Sequence, residues 1–126
     1  MKATVVAEIG SNWEGNLTKA KKIIRECKKA GANAVKFQMW RATDLYSKDH
    51  PNWNEIKKSE LSFKITKKLK EYCDKEKIEF FCSAFYPEAI NYLEKLKVKR
   101  YKIASRTCLF KDPGTTETLE ATAHTK

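Results

Sequence analysis

Ala34-Val35-Lys36-Phe37-Gln38 is a short apolar run interrupted by one ammonium group. Apolar runs of this length describe buried strands, and a charge inside one is costly unless something pairs with it. Two other runs repeat the pattern. Ala3-Thr4-Val5-Val6-Ala7-Glu8 ends on a carboxylate, and Arg100-Tyr101-Lys102-Ile103-Ala104 is interrupted by a second lysine. Three strands that each carry one ionisable group near the C-terminal end predict a site built on a sheet.

Helical periods fill the spaces between these strands. A first strand over 3–9 leads to Asn16, a predicted N-cap for a helix over about 17–30. Leu17, Ala20, Ile23, Ile24, Cys27 and Ala30 keep the helical period, and Gly31 supplies the stop. The second strand covers 34–38. The polar stretch 39–59, with Trp40, Arg41, Tyr46 and Trp53, reads as an ordered active-site loop. A helix over 62–76, a strand over 78–83, a helix over 87–96 opened by Pro87, a fourth strand over 100–104 and a short helix over 116–124 complete the chain. The order β-α-β-α-β-α-β-α implies an α/β fold of parallel strands with right-handed crossovers. Both an open sheet and a barrel fit. The absence of a Gly-x-Gly-x-x-Gly fingerprint and of a P-loop weakens the nucleotide-binding open sheet.

Side chains alternate faces along a strand. Lys36 and Gln38 therefore share a face, as do Phe81 and Ser83, Lys102 and Ala104, and Thr4, Val6 and Glu8. The opposite faces are apolar and suit helices. The polar faces should line a barrel mouth at the C-terminal strand ends, collecting Glu8, Lys36, Gln38, Ser83 and Lys102, with Ser105 just beyond. Two lysines and two hydroxyls suit a phosphate or carboxylate ligand. A carboxylate among them serves as acid or base, or fixes the lysines. The plainer alternative is a buried Lys36–Glu8 ion pair with no ligand.

Composition narrows the class. The chain has 126 residues, enough for one ordinary domain. No run approaches the roughly 18–20 apolar residues of a membrane span, and no signal peptide is read, which predicts a cytoplasmic protein. Cys27, Cys73, Cys82 and Cys108 form no CxxC pair, and His50 and His124 stand alone, so no zinc site is expected. The formal charge is +10. Its lysines are mixed with acids on predicted helix faces and no nucleic-acid-binding motif accompanies them, so a solvated basic surface is expected rather than a nucleic-acid partner.

The polar-strand residues also carry a family likeness. Ala7-Glu8-Ile9-Gly10-Ser11-Asn12, Ala34-Val35-Lys36-Phe37-Gln38 and Tyr101-Lys102-Ile103-Ala104-Ser105 resemble three successive motifs of the N-acetylneuraminate (sialic acid) synthase family. Phe81-Cys82-Ser83-Ala84-Phe85 resembles a looser fourth. The resemblance implies a TIM barrel that condenses phosphoenolpyruvate with an N-acylated aminosugar such as N-acetylmannosamine, giving a nonulosonic acid and phosphate. A divalent metal, Mn or Mg, would assist, with ligands outside this chain. By that likeness Lys36, Ser83, Lys102 and Ser105 hold phosphoenolpyruvate, Gln38 touches the sugar, and Glu8 is the acid or base.

Departures fall on the sugar side. Trp13-Glu14-Gly15 stands where the family has His-Asn-Gly or similar, Ala84 stands for its proline, and Arg106-Thr107 for its Gly-Glu. A whole barrel needs about 200–250 residues. The expectation is therefore residues 1–126 as the N-terminal (βα)4 half of such a barrel, without the second half or the C-terminal antifreeze-like domain, and inactive alone. Open sheet edges predict a homo-oligomer or pairing with a separate second half. The alternative is a non-catalytic half-barrel that binds an anionic metabolite or serves as an assembly partner.

Overall fold

The computed structural model describes residues 3–126. Three parallel strands form one sheet: β1 (Val6–Gly10), β2 (Ala34–Met39) and β3 (Glu79–Ala84), in the order β1-β2-β3. Helix α1 (Leu17–Lys29) connects β1 to β2. Between β2 and β3 lie α2 (Ala42–Leu45), α3 (Trp53–Lys58) and α4 (Phe63–Lys75). After β3 come α5 (Pro87–Lys95), a 3-10 turn over Thr107–Leu109 and α6 (Thr115–Ala123).

The helix boundaries follow from their caps. The Asn16 side chain accepts the Lys19 N–H at 3.0 Å, and the Ser62 hydroxyl accepts the Ile65 N–H at 3.3 Å, each satisfying a first-turn donor that the helix itself leaves unpaired. Gly31 takes φ +91 just past α1, a conformation glycine adopts without strain. The corresponding positions after α4 and α5 hold Lys77 and Lys97, at φ 54 and 56.

Alternation along β2 and β3 divides the sheet as expected. Val35, Phe37, Met39, Phe80, Cys82 and Ala84 join the core with Ala20 and Ile24 of α1, Leu69 and Cys73 of α4, and Ala89, Ile90 and Leu93 of α5. Phe37 and Phe80 pack with ring centroids 5.7 Å apart. Each fully buried Leu or Ile contributes about 1.5–3 kcal/mol. Lys36, Gln38 and Ser83 stay outside this cluster, on alternate positions of the same strands.

Two expectations need correction. The fourth strand over 100–104 is reduced to a single parallel bridge, Ser83 with Lys102, supported by the Lys102 N–H to the Cys82 carbonyl at 3.2 Å. A ladder needs repeated exchange of backbone bonds. Here the segment has a strand on one side only among the described residues, and Ile103 faces solvent at 39% exposure. The observed order is therefore three strands and a bridge, not four alternating βα units. The stretch 39–59 is ordered, but carries the short helices α2 and α3 rather than a bare loop. The final helix begins at Thr115, where the Thr115 hydroxyl donates to the Asp112 carbonyl at 2.9 Å.

Candidate functional site

Register brings the polar residues together. Glu8 pairs with Lys36 across β1 and β2, and Gln38 pairs with Ser83 across β2 and β3. The Lys36 ammonium forms an ion pair with Glu8 Oε2 and donates to Ser83 Oγ at 3.2 Å. The Lys36 side chain is only 13% exposed and Ser83 is buried, whereas the Glu8 side chain is half open to solvent. The charge in the apolar strand is thus matched by a carboxylate that reaches it from the wet side. Glu8 and Lys36 are mid-strand, and Gln38 and Ser83 are near the C-terminal ends of β2 and β3, where parallel sheets bind ligands.

Gly10 closes one side of this group. The β1–β2 register slips between Glu8 and Gly10, and Gly10 takes φ +56. A Cβ there would lie 3.1 Å from Glu8 Oε1 and 3.3 Å from Gln38 Nε2. Only glycine satisfies both the conformation and the space.

The remaining expected residues stand further out. Lys102 joins Ser83 through the backbone bridge, but its ammonium donates to the Ile103 carbonyl at 2.6 Å and is exposed. Ser105 is exposed in the turn beyond it, and no hydrogen bond among the described residues ties its hydroxyl to Lys36 or Ser83. The structure therefore brings together Glu8, Lys36, Gln38 and Ser83, with Lys102 at the rim and Ser105 outside.

Three further residues lie just beyond the C-terminal ends of β2 and β3. Trp40 donates its indole N–H to Gln38 Oε1 at 3.3 Å. Arg41 lies over the Tyr86 ring at 3.9 Å and pairs with Glu88 at 3.2 Å. Burial pushes the Tyr86 phenol up to about 12, against the opposing pull of Arg41. The parity that selected Gln38 also selects Trp40, two residues on, so this signal was present in the sequence. The Arg41–Tyr86 contact depends on the β3–α5 junction and left no local signal.

Two buried groups are set aside. Burial pushes the Cys82 thiol upward despite Lys36 nearby, which leaves it protonated and unsuited to nucleophilic work. The Trp13 indole N–H is buried without a partner. Among the described residues no group of three or more His, Cys, Asp or Glu side chains could hold a metal ion. Glu8 is engaged by Lys36, and the His50 ring accepts the Asn52 N–H at 3.1 Å.

A parallel α/β sheet with a lysine–carboxylate–hydroxyl group on its polar face defines the class. The chain belongs to the NeuB family, whose pattern matches residues 23–126. It is 33% identical to N,N'-diacetyllegionaminic acid synthase of Legionella pneumophila, over 83% of this chain and 33% of that protein. It is 35% identical to the uncharacterized protein MJ1065 of Methanocaldococcus jannaschii, over 84% of this chain and 32% of that protein. The chain thus spans about one third of the length of these relatives. Among solved structures, the N-acetylneuraminic acid (sialic acid) synthetase of Leptospira borgpetersenii, in complex with citrate, superposes with TM-score 0.86 at 32% identity. That match covers 99% of this chain and 42% of the other. No helix among the described residues is long and apolar enough to cross a membrane.

Proposed function

We propose that residues 1–126 form the N-terminal portion of a sialic acid synthase-like TIM barrel and supply its phosphoenolpyruvate-binding side. The observation that carries this reading is the Lys36 ammonium held between Glu8 and Ser83 on the polar face of three parallel strands. Phosphoenolpyruvate is a small anion with a carboxylate and a phosphate. A nearly buried ammonium, a hydroxyl and the rim ammonium of Lys102 match those groups. The reaction joins the enol carbon to the aldehyde carbon of an N-acylated aminosugar of the N-acetylmannosamine type. Water replaces the departing phosphate, and a nonulosonic acid results. Lys36, Ser83 and Lys102 hold the anion, with Ser105 joining them if its turn closes. Glu8 keeps Lys36 oriented and accepts or returns a proton at its free oxygen. Gln38 faces the sugar.

The expected divalent metal, Mn or Mg, would take its ligands from outside this chain. The chain alone is expected to bind without turning over. Four free cysteines suit a reducing, cytoplasmic compartment. Val5, Val6 and Ile103, at 55%, 38% and 39% exposure, leave apolar side chains open at the β1 edge and on the segment beside β3. These favour self-association or pairing with a second half, measurable by sedimentation at micromolar concentration.

Phosphate release tests the catalytic reading. The chain, alone and joined to a second half, is given phosphoenolpyruvate, N-acetylmannosamine and manganese. Release by the joined form, lost in Lys36→Ala, is expected. Tight phosphoenolpyruvate binding with no release in any form would favour the non-catalytic half-barrel instead.

A further inference from the structure

Gln38 carries an amide whose orientation is set by its neighbour. An indole N–H can only donate, and the Trp40 N–H reaches Gln38 Oε1 at 3.3 Å. The amide oxygen is therefore turned toward Trp40, and the two donors on Nε2 point the other way. Trp40 is itself held. It is 6% exposed, Tyr46 meets its ring edge-on at 6.2 Å, and His50 meets Tyr46 edge-on at 5.6 Å. The His50 ring is fixed in turn by the Asn52 N–H. This aromatic row runs from the α2–α3 connection down to the end of β2.

The freed Nε2 faces the ion pair. It and Glu8 Oε1 border the same point above Gly10, at 3.3 and 3.1 Å from where a Cβ would stand. A fixed donor and a carboxylate thus lie side by side at the mouth, with the Lys36 ammonium on the far oxygen of that carboxylate. An amide free to flip would accept as readily as it donates. One pinned by an indole cannot turn its oxygen toward Glu8 without leaving the Trp40 N–H buried and unpaired, which costs more than the bond it replaces.

We propose that Trp40 is a positioning residue that fixes Gln38 as a hydrogen-bond donor, so that the mouth selects a molecule presenting an oxygen lone pair, hydroxyl or carbonyl, beside Glu8. A ligand offering only an N–H toward Nε2 is disfavoured, because two donors would face each other. This deepens the aminosugar reading above and rests on it for the identity of the ligand, though the Trp40–Gln38 geometry does not.

The experiment uses the whole chain labelled with 15N. In the unliganded protein, Trp40→Phe keeps an aromatic ring and removes the N–H. It is expected to move the Gln38 side-chain amide resonances, and Gln38→Met to move the Trp40 indole resonance. If neither moves, the two groups are not bonded and the proposal is overturned. N-acetylmannosamine is then titrated with phosphoenolpyruvate present. Trp40→Phe is expected to weaken the sugar roughly threefold to tenfold, the worth of one fixed hydrogen bond, while phosphoenolpyruvate affinity stays unchanged. Equal weakening of both ligands marks a merely structural effect and overturns the proposal. So does unchanged sugar affinity. If the wild-type chain binds neither ligand, the synthase reading fails, and the unliganded resonances alone decide the positioning claim.

Discussion

Glu8 and Lys36 stand opposite one another on adjacent parallel strands, and the carboxylate of one meets the ammonium of the other. The pair is lopsided, since Lys36 is nearly buried while Glu8 is half open. The buried cation is therefore neutralised from the side on which a ligand would arrive. An incoming anion competes for, or adds to, a charge already held in place.

Gly10→Ala tests how closely the mouth is built. Its Cβ would press on Glu8 Oε1 and Gln38 Nε2, and its φ of +56 is unfavourable for any L side chain. The left-handed conformation alone costs about 1–2 kcal/mol. A loss of about that size in the unfolding free energy is expected from urea titration, with weaker phosphoenolpyruvate binding because Glu8 must shift. Unchanged stability and affinity would show that β1 relaxes freely there.

Lys77 and Lys97 occupy left-handed positions after α4 and α5. Glycine is the ordinary choice at such a position. Lys77→Gly and Lys97→Gly are each expected to stabilise the chain by about 0.5–1 kcal/mol in denaturant unfolding. The gain at Lys77 stands apart from its contact with Lys28, which uses the backbone carbonyl and survives the substitution.

Alkaline titration reads the buried thiol. Burial raises Cys73 from 9.0 to about 12. Below pH 9.0 the thiol is protonated whether the chain is folded or not, so it adds no pH dependence. Between 9.0 and about 12 the unfolded chain releases the proton and the folded chain keeps it. Stability should fall through that window by about 1.4 kcal/mol per pH unit. Tyr86, raised from 10.0 to about 12, adds to the loss above pH 10.0. Thermal melts should show a shallower decline in Cys73→Ala. Equal slopes in the two proteins would show that Cys73 is solvated in the fold.

Local chemistry made much of the architecture readable. Asn16 caps α1 as its side chain predicts, Pro87 opens α5, and the alternation of β2 and β3 separates core from mouth. The fourth strand was not readable in the same way. Tyr101-Lys102-Ile103 has the composition of a strand, but pairing depends on neighbours on both sides, which composition does not encode. Ser105 stands apart from the group for a related reason, since its position is set by the turn after Lys102 rather than by strand parity. The Trp40–Gln38 bond was accessible from the two-residue spacing. The short helices α2 and α3 were hidden by a polar stretch too brief to show a period.

Isothermal titration of phosphoenolpyruvate into the chain and into Lys36→Ala tests the central claim most directly. Glu8 is exposed enough to find water, so the variant should stay folded. A charge-assisted hydrogen bond contributes about 1.5–3 kcal/mol, which predicts affinity lower by about 10- to 100-fold in Lys36→Ala and a comparable loss in Lys36→Met. Equal affinity in wild type and both variants, or no binding by the wild type, would contradict the account and leave Glu8–Lys36 as an ion pair that serves the fold alone.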